Sequence, residues 1–272
     1  MTQVELHHGA ATDVGLLRET NEDAYLVAPP VFVVADGMGG HENGDVASRI
    51  VVEEFARMAD QGYEPTEGDA VVREVLEASQ RRISEYAAEG GHSGVRRTPG
   101  TTVVAALLVE SEGKPAWLLV NLGDSRIYAV SHGTLRQVST DHSVVQELLD
   151  AGQITEAQAA DHPERHVITR ALGGPRLEPA DYFLLPVQDA ERVLLCTDGI
   201  SGLVDDEQIA AVLTRTPDPR DAADGLVAAA LTAGGDDNAT AVVVDVVGLV
   251  PDQAYDSERQ RASLEQKLGA LP

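Results

Sequence analysis

The segment VFVVADGMGGHENG, residues Val31 to Gly44, places a short apolar run directly before Asp36 and Gly37. A continuous apolar run bounded by glycine is typical of a strand that is covered on both faces. The Asp-Gly pair after the run can be explained in two ways. It forms a turn, which is the common use of this dipeptide, or it presents a carboxylate that holds a ligand.

The same pattern of an acid at a strand end recurs along the chain. Each acid adjoins an apolar run and lies next to Gly, Asn or another acid. The five acidic motifs are Asn21-Glu22-Asp23, Asp36-Gly37, Gly123-Asp124, Asp198-Gly199 and Asp237-Asn238. If these ends converge in the fold, their carboxylates repel one another unless they are protonated or bind a cation. Oxygen ligands without regularly spaced Cys or His favour Mg²⁺ or Mn²⁺.

The order of the predicted elements indicates the fold class. Short connections join the strand runs at 101–109, 116–123 and 126–130, which favours antiparallel pairing. Helices come in pairs between groups of strands and do not alternate with them one-to-one. We therefore predict an α+β sandwich with helices outside, not a doubly wound α/β fold. Further strands are predicted at 24–28, 31–35, 192–197 and 239–247, and helices at 45–58, 72–86, 205–213 and 220–231.

Two regions lack strand signals. Residues 140–179 carry capping-box spacing at Ser143 and Thr155, which indicates two short helices. A long insert of this kind is usually a functional lid or flap. Residues 248–272 follow the last predicted strand, and their polar pattern predicts a peripheral helix or tail.

Composition excludes several classes of partner and location. The net charge of −25 argues against binding nucleic acid over a broad surface and against docking on anionic lipid. The N-terminus lacks the pattern of a signal peptide, and no apolar run approaches the roughly 20 residues needed to span a bilayer. We therefore expect a soluble cytoplasmic protein. The single cysteine, Cys196, lies in an apolar run and is expected to be a core residue.

Taken together in chain order, these motifs resemble bacterial members of the type 2C, or PPM, family of metal-dependent serine/threonine protein phosphatases. The resemblance covers residues from about Leu6 to Val247. The matching segments are RETNEDAY, VADGMGGHENGDVAS, GTTVVAALL, NLGDSRIY, STDHSVVQELLDAGQI, HVITRALG, LLCTDGIS and GGDDNATAVVV. The resemblance implies a four-layer αββα sandwich, in which two antiparallel sheets are flanked by helices. It places the catalytic domain at 1–247, with a flap at about 140–179.

The resemblance also implies the activity. A metal-activated water would hydrolyse phosphoserine and phosphothreonine on proteins. Two Mn²⁺ or Mg²⁺ ions are implied at each site, with a weaker third ion in bacterial members. The implied partners are phosphoprotein substrates and a serine/threonine kinase that the enzyme counteracts, and we expect a monomer.

A role for each acid follows from the resemblance. Asp36 would bridge the two metals, and the carbonyl of Gly37 would bind one of them. Asp198 and Asp237 would be the remaining ligands of the first metal. Glu22 would be an acid of the second metal, acting partly through water.

Four further roles are implied. Asp124, together with Asp198, would hold the weaker third metal. Arg18 would bind the substrate phosphate, since a planar guanidinium matches phosphate oxygens bidentately. Asp23 and Asn238 would position their neighbours without binding the metal.

Several alternatives remain open at this point. Arg18 could instead form an exposed ion pair with Glu19 or Glu22, which is worth little energy. The general acid is unassigned, because Met38 stands where animal members have His, and the nearby His41 is as well explained as a loop residue. The chain could also be a metal-stabilised phosphopeptide-binding scaffold without turnover, or a hydrolase of small phosphate esters.

Overall fold

The computed structural model describes residues 3–39, 43–89 and 99–250. The strands are β1 (Gln3–Asp13), β2 (Ala24–Ala28), β3 (Val31–Ala35), β4 (Gly37–Met38), β5 (Gly100–Thr101), β6 (Val103–Ser111), β7 (Lys114–Leu122), β8 (Arg126–Ser131), β9 (Thr134–Gln137), β10 (Asp181–Pro186), β11 (Arg192–Cys196) and β12 (Ala239–Val250). The helices are α1 (Gly44–Gln61), α2 (Gly68–Glu89), α3 (Val144–Asp150), α4 (Glu156–Ala160), α5 (Asp198–Ser201), α6 (Asp206–Arg215) and α7 (Pro219–Ala233). Short 3₁₀ turns occupy Pro65–Glu67 and Val187–Asp189.

The long strands form two five-stranded antiparallel sheets. One has the order β1-β12-β11-β8-β9, and the other has the order β10-β7-β6-β3-β2. Helices α1 and α2 pack on the outer face of the second sheet, and α6 and α7 pack on the outer face of the first. The predicted α+β class and its αββα layering are confirmed.

Three buried clusters separate these four layers. The central cluster lies between the sheets and contains Phe32 and Trp117, whose ring centroids are 6.3 Å apart. The outer clusters lie between each sheet and its helices. Strands β3 and β11 are buried along their whole lengths, because each has a sheet or helix layer on both faces. This double burial explains the continuous apolar runs in the sequence.

Sheet register brings the acidic motifs to one edge of the sandwich. In the second sheet Ala24 pairs with Ala35, so the start of β2 lies beside the end of β3. Likewise Val103, at the start of β6, pairs with Leu122 at the end of β7. In the first sheet Asp13 pairs with Ala239, at the end of β1 and the start of β12. An acid that precedes one strand therefore meets acids that follow its antiparallel neighbours.

The N-terminal strand was not predicted from the sequence. Its apolar residues are few and small, so the run QVELHHGAATD gives only a weak alternating signal. Pairing with β12 stabilises it, from Gln3 opposite Val250 to Asp13 opposite Ala239. The same pairing extends β12 to Val250, three residues past the predicted end at 247. Residues 248–250 belong to the last strand, while the division of the chain into a catalytic domain and a tail stays a prediction.

The flap begins with the predicted helices. Ser143 caps α3 by accepting a hydrogen bond from the backbone of Gln146. Thr155 and Gln158 form the predicted capping box of α4. At its far end the flap returns to the short two-stranded sheet of β4 and β5, where the buried Leu172 exchanges backbone hydrogen bonds with Thr101 at 3.0 and 3.1 Å.

The other predicted helices are present, and they extend beyond most of their predicted ends. The predicted helices at 45–58 and 72–86 correspond to the longer α1 and α2. No helix within the described ranges is long and apolar enough to cross a bilayer. The predicted C-terminal helix falls on residues 251–272, which lie outside the described part of the chain.

Candidate metal centre

Asp36 follows β3 at the acidic edge, and its backbone is held by Thr101 at the end of β5 and by Thr102, which precedes β6. Its amide donates to Oγ1 of Thr102 at 3.1 Å, and its carbonyl accepts from the amide of Thr102 at 2.9 Å. The same carbonyl accepts from Oγ1 of Thr101 at 2.8 Å. The hydroxyl of Thr102 also pairs with that of Ser125 at 2.7 Å. One threonine thus connects Asp36 to the loop that carries the acid of the next strand end.

The pKa values show that the carboxylates converge. Burial raises the pKa of Asp36 well above its usual value, and the charges of four other strand-end acids raise it further. These acids are Asp23, Asp198, Asp124 and Asp237. The sequence motifs therefore meet in space, as the resemblance implied.

Three neighbouring acids show the same effect. Burial, followed by the charges of Asp198 and Asp141, raises the pKa of Asp124 to about 8. Burial raises the pKa of Asp23 to about 7, although hydrogen bonds from two threonines oppose the shift. The pKa of Asp198 is also raised, first by burial and then by the charge of Asp237. Carboxylates this close are strongly unfavourable together unless protons or cations offset their charge.

Unpaired oxygens mark the centre of this cluster. In the described part of the chain, five of the eight buried side-chain polar atoms without a hydrogen-bond partner are carboxylate oxygens at this edge. They are Glu22 Oε1, Asp23 Oδ1, Asp45 Oδ1, Asp124 Oδ1 and Asp198 Oδ1. Buried polar atoms normally have partners. Several unpartnered anionic oxygens in one place fit divalent cations as the missing partners.

The acids do not form a closed cage by themselves. Among residues 3–39, 43–89 and 99–250, no three His, Cys, Asp or Glu side chains gather into a compact ligand set. A hard cation such as Mg²⁺ does not need one, because it keeps several waters and accepts carbonyl ligands. The centre therefore fits ions held by a few carboxylates, the Gly37 carbonyl and water.

Asp198 and Asp237 lie on two loops that touch. Asp198 is the first residue of α5, and Gly199 follows it. A Cβ atom at Gly199 would collide with the carbonyl oxygen of Asn238. Because only glycine permits this approach, Gly199 sets the spacing between the two acidic loops.

Asn238 ties this loop to the segment before β2. Its Nδ2 donates to the carbonyls of Val14 and Thr20, each at 2.9 Å, and its Oδ1 accepts from the amide of Glu22 at 2.8 Å. Its own amide donates to Oδ1 of Asp237 at 2.8 Å. A single side chain therefore fixes two acidic motifs relative to each other.

Arg18 lies on the segment that Asn238 holds. Its exposed guanidinium donates from Nη2 to Oδ2 of Asp237 at 2.7 Å. The alternative of an ion pair with Glu19 or Glu22 is not what the structure contains. Its charge nevertheless acts to lower the pKa of Glu22. A cationic side chain thus borders the acidic edge, where it could meet an anionic substrate.

The side chain of Asp23 connects three strand ends and is largely shielded from solvent. Its Oδ2 accepts from Oγ1 of Thr197 at 3.0 Å and from Oγ1 of Thr240 at 2.7 Å. The amide of Thr240 in turn donates to Oγ1 of Thr197 at 3.0 Å. Asp23 therefore holds the loops of Asp198 and Asp237 against the start of β2.

The flap holds the loop of Asp124 through a histidine. The amide of Gly123 donates to Nδ1 of the buried His142 at 3.0 Å, and the amide of His142 donates to the Gly123 carbonyl at 2.9 Å. Its Nε2 lies 3.3 Å from Oδ2 of Asp181. Burial lowers the pKa of His142. Since Nδ1 accepts from an amide, the ring is neutral and carries its proton on Nε2.

The other histidines leave the general acid unassigned. His41 lies outside the described residues. His162 accepts a hydrogen bond from the amide of Glu164 at 3.2 Å, within the flap. His166 is exposed, and its charge acts to lower the pKa of Asp198. His166 is therefore a flap histidine whose charge can influence an acid of the centre.

Sequence reasoning missed one acid at this edge, Asp45. It lies in the first turn of α1, and its Oδ1 is buried without a partner. Its charge is the largest electrostatic contribution that raises the pKa of Glu22. The available signal was weak, because an acid in the first turn of a helix is common for reasons unrelated to metals.

Cys196 takes no part in this centre. It is fully buried in β11, and burial raises the pKa of its thiol to about 12. A thiol that stays protonated is a poor nucleophile. The expectation of a core cysteine is confirmed.

The fold and the clustered acids define a class of protein, and comparison with known proteins identifies it. The family model described as protein phosphatase 2C matches residues 18–233. The chain therefore belongs to the protein phosphatase 2C family.

Individual relatives agree with this assignment. The serine/threonine protein phosphatase PstP of Mycobacterium tuberculosis is 39% identical over 243 residues, which cover 89% of this chain and 45% of PstP. The chain thus spans about half the length of that relative. The serine/threonine phosphatase stp of Listeria welshimeri is 34% identical over 252 residues, covering 88% of this chain and 96% of stp.

A solved structure matches most of this chain. It is the catalytic domain of the serine threonine protein phosphatase PstP in complex with two manganese ions. It superposes with a TM-score of 0.76 at 35% identity and covers 90% of this chain and 100% of that domain. The resemblance inferred from the sequence is confirmed at the level of family and fold.

Proposed function

We propose that this protein is a metal-dependent phosphatase that removes phosphate from phosphoserine and phosphothreonine in proteins. The observation that carries the proposal is the cluster of unpartnered buried carboxylate oxygens beside the exposed guanidinium of Arg18. Such a site can hold divalent cations and receive a phosphate at its rim. The names of the relatives, all serine/threonine phosphatases or protein phosphatases, support the same activity.

The carboxylates would divide between two cations, Mn²⁺ or Mg²⁺. Asp36 would bridge them, as the family resemblance implies, and the charges of Asp23, Asp198, Asp124 and Asp237 that add to the effect of burial on its pKa support a central position. Asp198 and Asp237 would bind the first cation, and Glu22 with the Gly37 carbonyl would bind the second. The two-manganese PstP structure supports this number of ions.

A weaker third cation would lie between Asp124 and Asp198. The raised pKa of Asp124, to which the charge of Asp198 contributes, supports their proximity. Asp23 and Asn238 would hold the acidic loops in place, through the hydrogen bonds that tie these loops to β2 and to residues 14–22.

The chemistry needs an activated water and a charge that offsets the phosphoryl oxygens. Bound cations would activate the water by lowering its pKa from about 15.7 toward 7. Arg18 would offset part of the negative charge on the phosphoryl oxygens, because its guanidinium can donate two parallel hydrogen bonds to a phosphate. The guanidinium lies 2.7 Å from Oδ2 of Asp237, which places it at the edge of the acidic cluster. The carboxylates must lose their protons before cations bind, which links activity to pH.

The cellular role extends the same proposal. We place the protein in the cytoplasm as a monomer that reverses phosphorylation by a serine/threonine kinase in a signalling system. We place the catalytic domain at residues 1–247, with the flap at about 140–179. The hydrogen bonds between His142 and Gly123 support a flap that is tied to the centre at its start.

The test compares substrates and metals on one preparation of the full chain. Phosphothreonine and phosphoserine peptides, sugar phosphates and an aryl phosphate are assayed with Mn²⁺, with Mg²⁺ and after chelation. The proposal expects metal-dependent turnover with the highest kcat/KM for the phosphopeptides. Faster hydrolysis of sugar phosphates would favour a small-molecule enzyme instead. Binding of phosphopeptides without turnover under any divalent ion would favour a scaffold.

A further inference from the structure

The start of α1 is packed tightly against the acidic edge. Gly44, the first residue of α1, touches the Gly37 backbone, and a Cβ atom at Gly44 would lie 2.8 Å from the Gly37 carbonyl carbon and 2.9 Å from Cδ of Glu22. The amide of Gly37 donates to the carbonyl of Glu22 at 3.2 Å. Gly44 therefore leaves room for the Glu22 side chain, and Gly37 leaves room for the Glu22 backbone carbonyl.

A serine fixes the same junction. Oγ of the buried Ser48 lies 2.6 Å from the carbonyl oxygen of Glu22 and 3.2 Å from that of Asp45. The backbone of Glu22 and the first turn of α1 are thus joined at one point. Asp45 is the second residue of α1. Its position beside Glu22 is fixed by the backbone packing of Gly44 and by the hydrogen bonds of Ser48.

Each of these two acids has a buried oxygen without a partner. They are Oε1 of Glu22 and Oδ1 of Asp45. The second oxygen of Asp45 faces the exposed guanidinium of Arg49 at 3.4 Å. Burial and then the charge of Asp45 raise the pKa of Glu22. These two carboxylates share one junction, and each has a buried oxygen that no donor among the described residues satisfies.

We infer that Asp45 shares the second cation with Glu22, contributing Oδ1 to that ion either directly or through one of its waters. This inference rests on the proposed metal-dependent function and deepens it by adding a residue to the second metal position. The pair gives that position two carboxylates of its own besides the bridging Asp36. A hard cation gains affinity from each added anionic oxygen.

A purely structural role would also put an acid at this position. Asp in the first turn stabilises a helix through its macrodipole, and Arg at i+4 adds an ion pair. Helix α2 provides a matched example, because Asp69 lies in its first turn and is 3.7 Å from Arg73. Asp69 is exposed and lies outside the proposed centre. A substitution of Asp69 therefore measures the effect of an acid in the first turn of a helix without any effect on the proposed metal centre.

The experiment uses the full chain and compares Asp45→Asn and Asp45→Ser with Asp69→Asn. Mn²⁺ binding is measured by titration calorimetry, and thermal unfolding is followed with and without Mn²⁺. Both Asp45 variants should weaken one Mn²⁺ binding event about 10- to 100-fold and leave a second event unchanged. Without metal they should unfold at or above the wild-type temperature, because the repulsion of Glu22 is removed. Asp69→Asn should bind Mn²⁺ as the wild type does.

Several results would overturn the inference. One is wild-type Mn²⁺ affinity in both Asp45 variants. Another is weakened binding of equal size in Asp69→Asn, which would trace the effect to the helix terminus. A metal-free Asp45 variant that fails to fold would contradict the expected relief of repulsion. Failure of the proposed function would look different, since the wild type would then bind Mn²⁺ but hydrolyse no phosphopeptide.

Discussion

The guanidinium of Arg18 donates from Nη2 to Oδ2 of Asp237 at 2.7 Å, across 219 residues of sequence. The side chain proposed for phosphate is therefore held by a carboxylate proposed for the first cation. A cation on Asp237 would compete with this ion pair and leave the guanidinium available to substrate. Metal binding and phosphate binding are thus expected to be coupled at this contact.

Replacing Arg18 by Ala should lower kcat/KM for a phosphothreonine peptide about 10- to 100-fold, the equivalent of a lost hydrogen bond to a charged group. Steady-state kinetics with Mn²⁺ measures this, and the loss should fall mainly on KM. Arg18→Lys should restore little, because an ammonium cannot match phosphate oxygens bidentately. Arg220→Ala, which removes an exposed ion pair with Asp218, serves as the control. Unchanged KM in Arg18→Ala would contradict the phosphate role.

Asp36→Asn should abolish most turnover while the fold is retained. The neutral amide keeps the size of the side chain but removes the charge proposed to bridge two cations, so activity should fall at least about 100-fold. Without metal the variant should unfold at a higher temperature than the wild type, since burial and then the charges of the neighbouring acids disfavour the Asp36 carboxylate. Kinetics and thermal unfolding test both statements. Retention of most activity would rule out the bridging role.

The metal-free protein should lose stability as pH rises. The folded-state pKa of Asp124 is about 8, above its usual value of 3.8, so between these values the folded state binds more protons than the unfolded state. Stability therefore falls as pH rises through this window. Urea unfolding with chelator at pH 5.5 to 8.5 measures the slope.

Two comparisons test the origin of that slope. Asp124→Asn should reduce the slope, because the variant removes one of the acids whose pKa is raised in the folded state. Saturating Mn²⁺ should offset the loss at high pH, because cations replace the protons on the acids. A metal-free wild type that gains stability between pH 5.5 and 8.5 would contradict the clustered-acid site.

Gly199→Ala should disturb the centre without changing any charge. The new Cβ would collide with the carbonyl of Asn238, which is backbone and cannot move aside alone. Overpacking of this kind costs about 1–3 kcal/mol, and the displaced loops should also bind Mn²⁺ more weakly. Gly248→Ala is the matched control, since a Cβ there meets open space within 4 Å. Equal effects of the two substitutions on Mn²⁺ binding would contradict the spacing role of Gly199.

Most of the fold could be predicted from local pattern. The continuous apolar runs of β3 and β11 marked doubly covered strands, and the capping box at Thr155 marked the start of α4. Strand β1 could not be predicted in this way. Its stability comes from pairing with β12 and from close contact of Gly9 with the backbone of Arg220 in α7. Neither the pairing with β12 nor the contact with α7 produces a periodic pattern in the sequence of β1.

The sequence by itself determined which acids end or begin strands, and with them the family and the donor set of hard oxygen ligands. Tertiary structure alone decided which other groups join them. Asp45 faces Glu22 because α1 packs through Gly44 onto Gly37, and His142 reaches Gly123 because the flap folds back on the sheet. The physical reason is that a side chain's type is local, whereas the charge and the hydrogen-bond partners around it depend on residues brought near by the packing of distant elements.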